Sequence, residues 1–350
     1  MKNTLFCLLA FIASITNASA EVKVGVILPL SGDFGYFGEE VRQGMSVAID
    51  ELRSSDAQAP QLIFEDDKCL AKEAVSAFRK LTSEQKVALV VGPACSTSIQ
   101  SVAPIASRLS TPVMFLLDTG DSVSLLPDPL YSFGFDPPKM ARTLADDLHD
   151  RKLKVVATVT EEEEYAVLIT KAFTEKWKTL GGTIVSAESI PVNGTDLRSS
   201  ITRVLSNHPE AIFYSAAYQS GTFLKQLRSL DSNIPVYGND TMCVAETIDI
   251  AGSAANGARC GNVLLDESSP EAQAFRKAIV TKFNKAPSSL FYEALGYDSV
   301  RYILEELKLK PMPGKPLLGV TKRALNGVYD VIPSILEIKE GKMVPVSNFH

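Results

Sequence analysis

The sequence predicts an α/β protein of two similar doubly wound parallel-sheet lobes with a cleft between them. Three observations carry this. Apolar runs of strand length alternate with amphipathic helical stretches from Lys23 to Leu117. The rhythm is interrupted at Leu130 to Phe135, where Pro137-Pro138 ends the pairing, and then starts again. After the second alternating set the chain runs through two mostly helical stretches into a terminal hairpin.

The first strand is read from Val22, Val24 and Val26, extended by Ile27 and Leu28. A loop with Gly32, Gly35 and Gly38 follows, then a helix with Val41, Met45, Ala48, Ile49 and Leu52 on one face. This opening resembles the start of a dinucleotide fold, but the glycine spacing is G-x-x-G-x-x-G. A pyrophosphate loop needs G-x-G-x-x-G, and Asp33, Glu39 and Glu40 would repel phosphate. No nucleotide or other cofactor is expected. Strands are next expected at 61–64, 87–91, 112–117 and 130–135, with helices over 72–81 and 98–109. In the second set strands are expected near 153–160, 183–190, 210–214 and 235–238, ending at 263–265. Helices are expected near 163–180, 198–207 and 219–230, then over 269–284 and 289–309. The hairpin turns at Glu340-Gly341.

Residues 1–20 read as a secretory signal peptide: Lys2, an apolar stretch from Leu5 to Ile15, and Ala18-Ser19-Ala20 before Glu21. No later run reaches the length of a membrane span. The chain carries 35 Lys+Arg against 41 Asp+Glu, a net charge of −6, and loss of Lys2 makes it −7. With no basic cluster, nucleic acid is not an expected partner. Four cysteines remain after cleavage, Cys69, Cys95, Cys243 and Cys260. An even count in an oxidising compartment points to disulfides, with three pairings open and the two sequence-near pairs the simplest. No C-x-x-C spacing marks a metal site, and His149, His208 and His350 lie far apart. Each histidine reads as a surface or capping residue.

Four segments, "VGVILPLSGDFGYFGEEVRQGMSVAIDEL", "FEDDKC", "VVGPACSTS" and "YGND", occur in this order. Together they resemble the type I periplasmic substrate-binding proteins of ABC importers, in the leucine/isoleucine/valine-binding branch. The likeness covers nearly the whole chain after residue 20 and is looser in the second half. It implies a first lobe of 21–137 plus about 266–335, and a second of about 138–265 plus 336–350, joined by a multi-strand hinge. It implies that Gly32 and Gly38 turn the chain beside a ligand that Phe37 lines, and that Cys69 pairs with Cys95. It makes Ser96 the residue that holds a ligand carboxylate, although a serine there also suits a helix cap. Tyr165 would close over the ligand, although it shares a helix face with Ile169, Phe173 and Trp177 and so suits a core equally. Tyr218 would be a pocket tyrosine, in a register open by one residue. Asp240 would pair with a ligand ammonium, against the alternative that it shapes a turn after Asn239. The four glutamates after Thr160 read as a solvated helix start.

One position departs from the pattern. Where amino-acid binders carry small residues, this chain has Asp118 followed by Thr119. Thr119 keeps a hydroxyl, but Asp118 would put a negative charge near the expected carboxylate, which Coulomb repulsion penalises. A branched-chain ligand is therefore in question.

The expected function is capture of a small polar ligand, an amino acid or related metabolite, by hinge closure. A monomer in the periplasm would deliver it to the permease subunits of an ABC importer. The alternative is a sensor presenting its ligand to a membrane receptor. No nucleophile–base set is legible. A hydrolase built on Asp118 and Asp240 is the enzymatic alternative, and the resemblance assigns both to a binding cleft instead.

Overall fold

A computed structural model describes residues 21–55, 58–109, 111–118, 130–192, 194–230, 233–263, 265–285, 287, 290–319, 328–331 and 333–346. The first sheet holds β1 (Lys23–Leu28), β2 (Gln61–Asp66), β3 (Leu89–Val91), β4 (Val113–Asp118), β5 (Leu130–Phe135) and β11 (Val328–Asp330). Their spatial order is β2-β1-β3-β4-β5-β11, and every described pairing in it is parallel. The second sheet holds β6 (Val155–Glu161), β7 (Thr183–Ile190), β8 (Ala211–Ser215), β9 (Val236–Gly238), β10 (Arg259–Val263), β12 (Pro333–Lys339) and β13 (Lys342–Pro345). Its order is β7-β6-β8-β9-β10-β12-β13, parallel up to β10 and antiparallel through β12 and β13. The first five strands of both sheets thus follow the same order, and the expected fold class is the one observed. The chain passes between the sheets after Phe135, after Val263 and after Asp330, which makes the hinge three-stranded. The chain re-enters the second sheet at Pro333, where β12 begins.

Each sheet is covered on both faces. On the first, α1 (Gly35–Ser54), α9 (Pro270–Phe283) and α10 (Phe291–Glu306) pack Val41, Met45, Phe275 and Leu295 against Val24 and Val26. On the opposite face α2 (Ala71–Arg79) and α3 (Ser96–Leu109) pack Phe78 and Val102 against Ile27, Val90 and Phe115. The strand residues alternate between these two cores, as doubly covered strands must. In the second lobe α4 (Pro137–Asp150) and α5 (Glu164–Thr179) cover one face with Leu144, Phe173 and Trp177. The other face is covered by α6 (Arg198–Leu205), α7 (Ser220–Ser229) and the short α8 (Ala245–Ala251), with Ile201, Phe223 and Ala251.

Local chemistry explains where helices begin. Asp136 caps α4 by accepting from the Lys139 N–H at 2.8 Å, and Pro137 fills the first helical position. Ser269 and Pro270 do the same for α9, where Ser269 accepts from the Ala272 N–H at 3.2 Å. The strongest helix–helix contact depends on two glycines. A Cβ on Gly44 would stand 1.8 Å from the Glu293 carbonyl oxygen, and one on Gly296 would stand 1.9 Å from that of Val41. So α1 and α10 meet backbone to backbone, which no side chain at either position permits.

Candidate functional site

In open parallel sheets, ligands bind beyond the carboxyl ends of the strands where the strand order reverses. That point falls between β1 and β3 in one lobe and between β6 and β8 in the other. The four loops after these strands face one another around a cavity of about 190 Å³. Phe34, Tyr36 and Phe37 enter it after β1, and Ala94, Cys95, Ser96 and Thr97 after β3. Glu163 and Tyr165 enter after β6, and Ala217 and Tyr218 after β8. Asp240 and Thr241 follow β9, and Tyr292 comes from α10.

Five expected site residues therefore share one cavity: Phe37, Ser96, Tyr165, Tyr218 and Asp240. Asp118 ends β4, but its side chain, like the whole of Thr119, lies outside the described residues. Phe34, Tyr36, Glu163 and Tyr292 were not anticipated. The first two lie between Gly32 and Gly38, where three aromatics among five residues, Phe34, Tyr36 and Phe37, were the available signal. Tyr292 carries no local cue, because it joins the cavity from a helix far along the chain.

The aromatic wall is continuous. Phe37 sits 5.6 Å from Tyr292 between ring centroids, Tyr36 sits 6.3 Å from Tyr292, and Phe34 of the first lobe meets Tyr218 of the second at 5.1 Å. Gly32 takes the left-handed turn ahead of this wall, at φ +79°. Gly38 has a different task from the one expected. It lies inside α1, where a Cβ would stand 2.0 Å from the Pro29 carbonyl oxygen, so it lets the helix start press against the strand end.

Asp240 is the electrostatic centre. It is 8% exposed, and its Oδ1 accepts from the Tyr165 hydroxyl at 2.6 Å and from Asn239 Nδ2 at 3.4 Å. Burial pushes its carboxyl above the ordinary aspartate range, and the Tyr165 hydrogen bond opposes that shift. The Tyr218 hydroxyl is pushed up to about 12, by burial first and then by the charge of Asp33. Among the described lining residues, acids are present and Lys, Arg and His are absent. Asp240 has neutral donors but no cation in this lining, so the occupant is left to balance its charge.

The glutamate run is the expected solvated helix start only in part: Glu162 and Glu164 are exposed and Glu163 and Glu164 begin α5, but Glu161 is buried. Each residue has a separate partner. Glu161 is fully buried at the end of β6 and accepts from the Ala217 N–H at 2.6 Å, the Tyr218 N–H at 3.1 Å and Gln219 Nε2 at 2.7 Å. It thus anchors the loop that carries Tyr218. Glu162 accepts from Ser189 Oγ at 3.1 Å. Glu163 caps α5 through the Ala166 N–H at 3.2 Å and also lines the cavity. Glu164 accepts from Thr97 Oγ1 at 3.2 Å and from Gln100 Nε2, both in the other lobe.

Both cysteine pairs form as the simplest pairing had it. Cys69 and Cys95 lie 5.4 Å apart at Cα, and Cys243 and Cys260 lie 6.0 Å apart. The first pair borders the cavity and joins the loop after β2 to the residue before Ser96. Asp66 accepts from the Leu30 N–H at 2.8 Å and from Ser31 Oγ at 2.5 Å, so the "DDKC" segment also fixes the loop after β1.

Next to Tyr292, Glu293 is 1% exposed, and its Oε2 has no hydrogen-bond partner among the described residues. Its carboxyl is pushed up to about 8, by burial first and then by the charge of Glu40. In the unfolded chain it loses its proton near the ordinary 4.5, whereas the folded chain holds it to about 8. The folded state therefore binds more protons in that window, and stability falls as pH rises through it. Glu293→Gln is expected to remove this slope. It should leave stability near wild type at pH 5 and raise it by roughly 2–4 kcal/mol at pH 8, as read by denaturant unfolding. A variant-minus-wild-type difference that is equal at the two pH values would contradict this.

A family model described as periplasmic binding protein matches residues 21–309. The chain belongs to the periplasmic binding protein family. Among its relatives, this periplasmic binding protein is 26% identical to Leu/Ile/Val-binding protein BraC3 of Rhizobium johnstonii. That match covers 81% of this chain and 78% of the relative. It is 23% identical to Leu/Ile/Val-binding protein homolog 7 of Brucella suis, over 91% of this chain and 84% of the relative. In fold it resembles LivJ of Streptococcus pneumoniae, solved with isoleucine, at a TM-score of 0.79 and 22% identity, covering 93% and 100% of the two chains. It equally resembles a solute-binding protein of Rhodopseudomonas palustris BisB5 solved with 3,4-dihydroxybenzoic acid, at a TM-score of 0.79 and 21% identity, covering 94% and 97%. The relatives are binding proteins, and one fold serves ligands of different chemistry.

Proposed function

We propose that this periplasmic binding protein captures a small ligand bearing an ammonium group, an amino acid or a related metabolite, by closing its two lobes on it. In the periplasm, after removal of residues 1–20, it then delivers the ligand to the permease subunits of an ABC importer. The observation that carries the reading is the buried Asp240 in an aromatic cavity built from both lobes. An ammonium placed at Asp240 gains a charge-assisted hydrogen bond and the faces of the surrounding rings. A carboxylate on the same ligand would take the other side, where Ser96 and Thr97 open α3 and the helix N-terminus favours an anion. Thr119 and Asp118, at the end of β4, are proposed to complete this side. There, Asp118 selects against plain aliphatic amino acids unless the ligand brings it a donor. A ligand touching both lobes stabilises the closed form by its differential affinity.

The test is a calorimetric panel of L-isoleucine, other L-amino acids, their amides, primary amines and benzoate, followed by solution scattering. One ligand per chain is expected, with a dissociation constant of about 1 μM, near −8 kcal/mol. The radius of gyration should fall on binding. Capture of benzoate alone, with no amine bound, would overturn the ligand class. A tight amine ligand that leaves the radius unchanged would overturn the hinge.

A further inference from the structure

We propose that Glu164 is a cross-cleft clasp: a carboxylate at the start of α5 in the second lobe, held by Thr97 and Gln100 in the first two turns of α3 in the first lobe, that populates the closed form without any ligand. The inference rests on the hinge motion proposed above, but not on the identity of the ligand.

The argument begins with two helix ends. The N-terminal ends of α3 and α5 meet across the cleft, joined by Thr97, Gln100 and Glu164. A helix N-terminus presents N–H groups without intrahelical partners and a partial positive charge. Two such ends brought together repel. Glu164 is an acid in the first turn of its own helix, whereas the first turn of α3 carries none. One carboxylate placed between them therefore offsets both ends at once. It also accepts a hydroxyl and an amide hydrogen from the opposite lobe.

The position on the rim matters as well. The residue after Glu164 is Tyr165 and the residue before Thr97 is Ser96, and both line the cavity. Closing the clasp thus brings the two binding walls into register. A second direct contact across the cleft, the ring pair Phe34 and Tyr218 at 5.1 Å, acts in the same sense. Both contacts are made by the chain alone. Closure then has a stabilising term that is present before a ligand arrives, and the ligand has only to deepen it. Because the clasp is solvent-exposed, its effect on the open–closed ratio is a matter of a few-fold.

The test measures lobe separation in ligand-free protein. Spin labels go on Lys72→Cys and Lys171→Cys, two exposed positions in α2 and α5. Carried-over ligand is removed by dialysis from partial denaturant under non-reducing conditions. Pulsed electron–electron double resonance is expected to show a long and a short distance. Glu164→Ala should lower the short-to-long ratio about three- to fivefold. Gln100→Ala, made in the other lobe, should lower it in the same direction, and the double variant should go no further than Glu164→Ala alone. Circular dichroism melts confirm that each variant is folded. A single long distance in the wild type, an unchanged ratio in Glu164→Ala, or effects that simply add would each overturn the clasp. A protein that closes on an amino acid but shows no short distance without one keeps the solute-binding reading and loses this one.

Discussion

In Asp240→Asn, capture of the amino acid found in the panel is expected to weaken by about 2–5 kcal/mol, a loss of roughly thirty- to several-thousandfold. The size follows from burial. Asp240 is 8% exposed, so an ammonium docked on it gives up water on one side and needs the full negative charge in exchange. Asparagine keeps the shape and the acceptor for the Tyr165 hydroxyl, so the local fold survives while the charge is lost. The effect should appear mainly in the dissociation rate, because the charge acts in the closed complex and not during encounter. Burial also raises the Asp240 carboxyl, so capture should decline on acidification earlier than an exposed aspartate would dictate. Isothermal titration and stopped-flow release check both statements. Unchanged affinity in the variant would leave Asp240 the smaller task of shaping the turn that Asn239 begins.

Removing the Cys69–Cys95 bond by Cys69→Ala and Cys95→Ala is expected to cost about 3–4 kcal/mol of stability, the loop-entropy value for its closure. The bond spans 26 residues. The damage should also reach the site. Lys68 and Cys69 both hold left-handed backbone, at φ +53° and +57°, a conformation that side chains of this kind rarely adopt unaided. Asp67, fully buried, accepts from the Cys69 N–H at 3.2 Å and helps to hold it there. Without the bond, Cys95 and the Ser96 that follows it lose their tie to β2. Ligand affinity should therefore fall together with stability. Guanidinium unfolding under non-reducing conditions, paired with titration, tests this. A double variant as stable as wild type would show that the bond adds nothing to the fold.

Elements whose own residues carry a period were legible. The valines of β1, the face of α1 and the hairpin turning at Glu340-Gly341 are local patterns, and the structure repeats them. β11 and α8 were not. β11 is three residues long, and α8 buries little apolar surface of its own. The candidate site was legible where a motif carried it: Phe37, Ser96, Tyr165, Tyr218 and Asp240 line one cavity. It was illegible where partners come from elsewhere in the chain. Four glutamates in a row look solvated because like charges repel, yet Glu161 is compensated by backbone N–H groups from a loop 56 and 57 residues away. Tyr292 reaches the cavity through a helix whose sequence shows only that it packs.

The backbone contact between α1 and α10 has a consequence for the order of events as the chain is made. Gly44 and Gly296 must meet before α1 has its full covering, and β5 has no outer neighbour in its sheet until β11 is present. A nascent chain that stops near residue 260 would hold the parallel part of the second sheet, with the first lobe still missing α9 and α10 from one face and β11 from one edge. Both sheets are thus closed only by the last stretch of the chain, the first by β11 and the second by β12 and β13. The glycine loop, disulfide and aromatic wall of the first lobe acquire a rigid backing only when the segment from Pro270 to Asp330 arrives.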